Sequence, residues 1–360
     1  MQSTDFPVYK NIKPSFGQLF YQSFKGILKP FGVNKKLDMY FKLEKFSRLL
    51  HPMHFNQNAA DELRKKAFFK SQLVEVEIET HGYCNRTCNF CPNHVGNRLD
   101  KSEIMAPKTF EAIIDELAGM DYSGSIKMHR YNEPLSNEII FDRVAYARRK
   151  LPKANIGFHS NGDFLTKEKL QKLDGMGLNY LMVSLYVNYG KEVITQKKQA
   201  HDVGIKFLNK IGLAFEKLPA VNELYKWKIP MPHLDVVVFV PNFLANGNDR
   251  GGLIKEYTAK QRLSPCVSPF GRLFIDWTGD VLPCCNLRGD LVEHKSSILG
   301  NVQNQKLIDV YYSKVSNQFR HFLADVSPKE GVCKTCKYDC YSDGPISKRL
   351  MDRVMKKVLN

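Results

Sequence analysis

Six β-rich runs separated by helix-length connections place this 360-residue chain in the α/β class, as a parallel sheet curled into part of a (β/α)6 TIM-like barrel. Two further observations agree with that class. The composition, 43% hydrophobic and 25% charged, is that of a folded globular protein. The longest apolar run, VVVFV at 236–240, is too short to span a bilayer, so no transmembrane helix is expected.

The first run, LVEVEIET (73–80), reads as a strand, and a cysteine-containing loop follows it. A helix is then predicted from Pro107 through KTFEAIIDELAGM, with proline at a favoured first-turn position. SIKMHRYN (125–132) is the second strand and EIIFDRVAYARRK the helix after it. Further strands are expected at NIGFHSN (155–161), YLMVSLYV (180–187), IKFLNKIG (205–212) and LDVVVFV (234–240), with helices near 166–176 and 190–202. In a parallel sheet of this kind the active site lies at the carboxyl ends of the strands, which is where the cysteine loop falls.

The formal net charge of +16 is concentrated at the two ends. Residues 1–50 contribute +6 and residues 345–360 contribute +4. Both ends read as amphipathic helices: Phe16, Leu19, Phe20, Phe24, Ile27, Leu28 and Phe31 recur at helical spacing, as do Leu350, Met351, Val354, Met355 and Val358. They either dock on the main domain with their lysines in water or contact an anionic partner such as a membrane surface. No nucleic-acid partner is expected, because the basic residues are not interleaved with aromatics and no recognition motif is present. The start of the chain lacks a basic segment leading into an apolar one, so a secretory signal is not expected and the reading is cytoplasmic, or peripheral at the membrane surface. In that compartment clustered cysteines more often mean metal or catalysis than disulfides.

The stretch HGYCNRTCNFCPN (81–93) holds three of the nine cysteines. Cys84, Cys88 and Cys91 are spaced CxxxCxxC, with Phe90 before the last. Three thiolates on a short loop can hold a 4Fe-4S cluster and leave its fourth iron open to a small molecule. The competing reading is zinc, with His81 or His94 as a fourth donor. The CxxxCxxC motif with its aromatic resembles the signature of the radical S-adenosylmethionine (radical SAM) superfamily. That resemblance implies that the open iron binds S-adenosylmethionine and that an electron from the cluster cleaves it to a hydrogen-abstracting 5'-deoxyadenosyl radical. It also implies a reducing electron donor such as flavodoxin or ferredoxin. YNEPL (131–135) stands where the family has a GGEP-like segment, which makes Asn132 and Glu133 candidates for the methionyl amino group; Asn132 replaces the expected second glycine. SNG (160–162) and VSL (183–185) stand where the family presents polar groups to the cofactor, which adds Ser160, Asn161 and Ser184.

The last third holds the other six cysteines. Cys266, the GxxxxC ending at Cys284, and the CxxC of Cys333 and Cys336 resemble the SPASM and twitch extensions of that superfamily, which bind auxiliary 4Fe-4S clusters. Six cysteines cannot supply four thiolates to each of two clusters, and Ser342 stands where a further cysteine would follow. The resemblance therefore implies one auxiliary cluster on Cys266, Cys284, Cys333 and Cys336, with zinc on the same four as the alternative. The regions expected are a helical extension (1–70), the partial barrel (71–242), a small α+β auxiliary-cluster domain (243–345) and a basic helix (346–360).

Cys285 and Cys340 remain, either as small buried residues or as a hydrogen-atom donor of an epimerase. His129, Arg130 and His159 lie near strand ends. Arg250 is the candidate for the substrate, since it falls between the two cluster regions and can clamp an oxyanion. An auxiliary cluster capped by four cysteines has the role of accepting an electron, which resembles the twitch-bearing dehydrogenases of aminoglycoside pathways and implies a small-molecule or carbohydrate substrate, a sugar or cyclitol-like alcohol. Epimerisation and modification of a ribosomal peptide are the rival reactions. A non-catalytic zinc or iron-sulfur scaffold is the rival outside enzymes. Alanine at Cys84, Cys88 or Cys91 is expected to abolish release of 5'-deoxyadenosine, measured by chromatography, while circular dichroism shows the fold retained.

Overall fold

The computed structural model describes residues 50–55, 61–186 and 194–337. Both basic ends and Cys340 lie outside the described residues, so the helices expected at 1–50 and 346–360 do too. Among the described residues ten strands form one sheet: β1 Glu75–Ile78, β2 Ser125–Lys127, β3 Asn155–Ser160, β4 Tyr180–Ser184, β5 Glu216–Lys217, β6 Glu223–Pro230, β7 Asp235–Pro241, β8 Arg272–Ile275, β9 Asp280–Leu282 and β10 Gly300–Asn301. Their order is β10-β9-β8-β1-β2-β3-β4-β7-β6-β5. The six central strands, β8 to β7 in that order, pair in parallel, and the strands at both edges are antiparallel.

The helices are α1 Glu62–Gln72, α2 Pro107–Ala118, α3 Ile139–Lys150, α4 Lys167–Gly175, α5 Lys197–Ile211, the single turns α6 Phe243–Asn246 and α7 Ser268–Gly271, and α8 Leu307–Tyr312 and α9 Lys314–Ala324. Local chemistry sets their starts. Asp61 caps α1 by accepting from the Leu63 and Arg64 amides, α2 opens on Pro107, and Thr166 accepts from the Lys169 amide at the head of α4. Apolar faces of α2 to α5, including Phe110, Ile114, Ile140, Val144, Leu170 and Leu208, pack on Val76, Ile126, Ile156, Leu181 and Val236 of the sheet. This α/β partial barrel is the fold class expected.

Several elements differ from the sequence reading. The strand expected at 205–212 is the second half of α5, in which Ala200, Gly204, Leu208 and Ile211 line one buried face. A short run with Ile205, Phe207 and Ile211 fits either period, and only the helical face spanning the longer segment decides between them. Of the helix expected at 190–202, residues 190–193 lie outside the described residues and 197–202 open α5. The sixth parallel strand is β8, from the C-terminal cysteine-rich region, which pairs with β1 from Glu75↔Arg272 to Ile78↔Ile275. Also unforeseen is β6, which lies antiparallel to β7 and carries Trp227.

Strand β1 alternates sharply. Val76 and Ile78 enter the apolar core, while Glu75 and Glu77, followed by Glu79 beyond the strand end, point to the opposite face and are all buried. Lys127 Nζ reaches Glu75 at 2.7 Å, and Arg272 lies 3.8 Å from it. The barrel interior is thus polar, and its charged rows rise toward the cysteine loop. On the outer side, a Cβ on Gly204 would run into the Trp227 indole. Gly204→Val is expected to destabilise the protein by about 1–3 kcal/mol through overpacking, read as a lower midpoint of thermal unfolding.

Candidate active site

The chain leaves β1 at Glu79 and enters a loop of tight turns. The Cys91 amide donates to the Cys88 carbonyl at 2.9 Å, the His94 amide to the Cys91 carbonyl at 2.9 Å, and the Cys84 amide to the Arg98 carbonyl at 3.4 Å. Cys84 and Cys88 are buried and Cys91 is half-buried. Burial pushes the Cys88 thiol up to about 12 and raises Cys84 and Cys91 as well. Thiols held this far from water become thiolates only beside a cationic partner, which an iron-sulfur cluster supplies. His94 is exposed and His81 is buried. Among the described residues no group of three or more His, Cys, Asp and Glu side chains is arranged to hold a single metal ion.

Two polar networks hold this loop. On one side Arg86 forms a two-pronged contact with Asp163, at 2.8 and 2.5 Å, and Asn85 donates to Asp163 at 2.7 Å, which ties the loop to the end of β3. On the other side the buried Arg98 guanidinium pairs with Glu79 and lies 3.2 Å from Asp290. Asp290 also pairs with Arg288, whose Nη1 donates to the Gly96 carbonyl at 2.6 Å, the Asn93 side chain at 3.0 Å and the Pro92 carbonyl at 3.2 Å. Arg288 belongs to the auxiliary region, so that region grips the loop directly.

The candidates expected at strand ends converge. Glu133 accepts from Ser160 Oγ at 2.7 Å, the Asn161 amide at 2.7 Å and the Leu135 amide at 3.1 Å. Asn161 Nδ2 donates to Asn85 at 2.8 Å. Burial pushes the Glu133 carboxyl up to about 7, against the pull of these donors. Asn132 Oδ1 accepts from the Arg130 amide at 3.1 Å, while its buried Nδ2 has no hydrogen-bond partner among the described residues and is free for a ligand. Phe90 stacks on Phe243 at 3.8 Å and meets Tyr186 at 4.8 Å. Ser184 sits beneath Tyr186 and bonds to it.

Arg250 lies close to Cys91 and to Asn286, two residues beyond Cys284. It is a non-glycine residue at φ 51°, followed by Gly251 and Gly252 at φ 70° and 91°. A strained backbone of this kind persists only where the surroundings hold it. Its Nη1 donates to Asn286 at 3.0 Å, its buried Nε has no partner among the described residues, and its charge acts on Cys91, Tyr131, Tyr186 and Cys285. Cys285 is held down to about 6, first by a hydrogen bond from Cys284 and further by Arg250 and Arg272, while the same bond raises Cys284. Tyr131 Oη donates to the Cys285 carbonyl at 2.8 Å. Glu77 lies 3.9 Å from Arg130 and 4.0 Å from His129, and burial pushes its carboxyl up to about 8. His129 stacks on His159 at 4.3 Å.

The second cysteine group lines a cavity. Cys266, Cys284, Cys333 and Cys336 form its wall together with Arg262, Ser268, Pro283, Asn286 and several apolar side chains; Cys285 is not among them. Four thiols around one enclosed space suit a fully ligated cluster.

Residues 78–188 match the model of the radical SAM superfamily, and residues 266–341 match SPASM, an iron-sulfur cluster-binding domain. The chain belongs to the radical SAM superfamily. Its cofactors are S-adenosylmethionine and two iron-sulfur clusters. It is 26% identical over 264 residues to the S-adenosyl-L-methionine-dependent 2-deoxy-scyllo-inosamine dehydrogenase of Niallia circulans, an alignment covering 72% of this chain and 91% of that one. Its fold is similar to that of BtrN in a crystal structure with AdoMet and 2-DOIA, with a TM-score of 0.54 at 23% identity, covering 76% of this radical SAM enzyme and 98% of BtrN.

Sequence reasoning missed Arg98, Arg288 and Asp290, because nothing in their local sequence marks a pairing across nearly 200 positions. Asn85, Arg86 and Asp163 were missed for the same reason. Glu77 carried a signal: three glutamates at alternate positions of one apolar strand announce a polar interior face. Arg98→Ala strands Glu79, while Asp290 keeps Arg288, and breaking such a buried pair is expected to cost about 3–5 kcal/mol. The check is a lower unfolding midpoint with reduced iron content at the first cluster.

Proposed function

We propose that this radical SAM enzyme oxidises a secondary alcohol of a cyclitol-like substrate to a ketone. The observation that carries the reading is that Arg250 acts on Cys91 of the first cysteine loop and donates to Asn286, which lines the four-thiol cavity of Cys266, Cys284, Cys333 and Cys336. The similarity to an inosamine dehydrogenase supports the same substrate class.

In this reading Cys84, Cys88 and Cys91 hold the cluster that binds S-adenosylmethionine. Asn132, with its free Nδ2, contacts the methionyl end, and Ser184 and the Ser160 and Asn161 strand end shape the rest of the site. Glu133 positions that strand end, since its carboxylate is occupied by Ser160 and Asn161. Phe90, stacked on Phe243, closes one side to water. When bound, the cofactors supply a hydrogen-abstracting radical at one end of the site and an electron acceptor at the other. Arg250 orients the substrate hydroxyl and holds the negative charge that develops as its proton departs, and burial strengthens that interaction. Glu77 and the His129–His159 pair supply the polar contacts below.

Epimerisation stands as the second reading because Cys285 lies beside Arg250 rather than in the four-thiol wall, where a thiol can return a hydrogen atom. The reducing electron is assigned to a flavodoxin or ferredoxin, and anionic surface contact to the basic ends. The chain contains no helix long and apolar enough to cross a membrane among the described residues.

Anaerobic reconstitution is expected to give about eight irons per chain, two clusters of four. With a cyclitol deuterated at the reacting carbon, label is expected in 5'-deoxyadenosine and a ketone in the product. Solvent deuterium in an unoxidised product would assign the epimerase instead, and zinc-only loading would sink both.

A further inference from the structure

Two buried side chains bring N–H groups to one sulfur of the four-thiol cavity. Arg262, only 3% exposed, brings Nη1 to 3.8 Å from Cys336 Sγ, and the buried Asn248 brings Nδ2 to 3.9 Å from the same sulfur. The Asn286 amide donates to Cys284 Sγ at 3.4 Å. Arg262 is held in place along its whole length. Its Nε donates to the Ser264 carbonyl at 2.9 Å and its Nη2 to the Pro265 carbonyl. Its backbone amide donates to the Lys334 carbonyl at 2.7 Å, and its own carbonyl accepts from the Lys329 amide at 2.8 Å, which joins it to the CxxC segment.

Reduction adds one negative charge to a cluster. Burial alone opposes that charge, since it withdraws water, and so drives the potential down. A fixed cation and N–H donors aimed at the ligand sulfurs act the other way, and they act more strongly in a desolvated wall. Arginine keeps its proton in proteins, so the positive charge at this wall is permanent.

We infer that Arg262, assisted by Asn248, raises the reduction potential of the auxiliary cluster and so makes it an effective acceptor for the electron of the substrate radical. Arg262 is a positioning and tuning residue, since it acts through the cluster and touches no substrate. The inference rests on the proposed assignment of Cys266, Cys284, Cys333 and Cys336 as ligands of an electron-accepting cluster.

The test is a potentiometric EPR titration of the reconstituted full-length enzyme, with and without S-adenosylmethionine. The signal that changes on adding the cofactor belongs to the first cluster, and the unchanged one to the auxiliary cluster. Arg262→Gln is expected to lower the ratio of reduced to oxidised auxiliary cluster at least tenfold at a given poise, 59 mV for a one-electron couple. Asn248→Ala is expected to shift it the same way by less, and Arg262→Lys, which keeps the charge, to shift it less than Arg262→Gln. The first cluster is expected to keep its midpoint throughout. Wild-type midpoints in Arg262→Gln and Asn248→Ala at full iron and sulfide content overturn the inference, as does an equal shift of both clusters. Should Arg262→Gln fail to load its second cluster, Arg262→Lys and Asn248→Ala decide, and wild-type midpoints in both overturn it. Absence of any second signal in the unaltered enzyme removes the ligand assignment itself, and the inference with it.

Discussion

The Glu79–Arg98 ion pair is the contact on which the site depends. Glu79 is fully buried just past β1 and Arg98 is buried on the far limb of the cysteine loop, so neither charge has water to fall back on. A buried charge without its partner costs several kcal/mol, whereas the pair together roughly offsets its own desolvation. The loop is therefore held shut less by a net gain than by the absence of a tolerable open state. Further contacts extend the grip. The same Glu79 oxygen that meets Arg98 accepts from the Tyr131 amide at 2.8 Å, beyond the end of the second strand, and Asp290 carries the network to Arg288. Three segments far apart in sequence thus meet at one desolvated pair.

That arrangement gives the interior its electrical character. The barrel presents Glu75 and Glu77 low down, where Lys127, Arg272 and Arg130 surround them. Higher up, the guanidiniums of Arg98, Arg250 and Arg288 all lie close enough to act on Cys91. A cluster of thiolates is strongly anionic, and a collar of permanent cations makes that charge bearable in a low dielectric. Arg250 sits in this collar at a backbone conformation that few side chains accept, fixed by the two glycines after it and by Asn248, which accepts from its amide at 3.2 Å.

Much of this was legible in the sequence. Five of the six parallel strands and the position of the cysteine loop after the first of them followed from the pattern of the chain. The grouping of Cys266, Cys284, Cys333 and Cys336, and the choice of Glu133, Ser160 and Asn161, were implied by the resemblance to a family. What was not legible depends on contacts between remote segments. The segment at 205–212 has apolar residues that fit a strand over eight positions and a helix over fifteen, and packing against Trp227 settles it. The bonds that Glu133 accepts from Ser160 and from the Asn161 and Leu135 amides are likewise tertiary and local contacts that no sequence motif announces. Arg288 and Arg262 look like ordinary basic residues in sequence; only burial beside the cysteine loop and the thiol cavity distinguishes them.

The parallel pairing of β8 with β1 has a consequence for how such a chain can be divided. An appended module is joined by a linker and can be cut away, leaving its host intact. Here the region that carries the second set of thiols contributes a central strand, and removing it would leave β1 as a raw edge with its amides and carbonyls unpaired. The loop of Cys84, Cys88 and Cys91 follows β1, and Cys284 follows the hairpin that β8 opens, so the two groups of thiols are built on adjacent strands of one sheet rather than on modules joined by a linker.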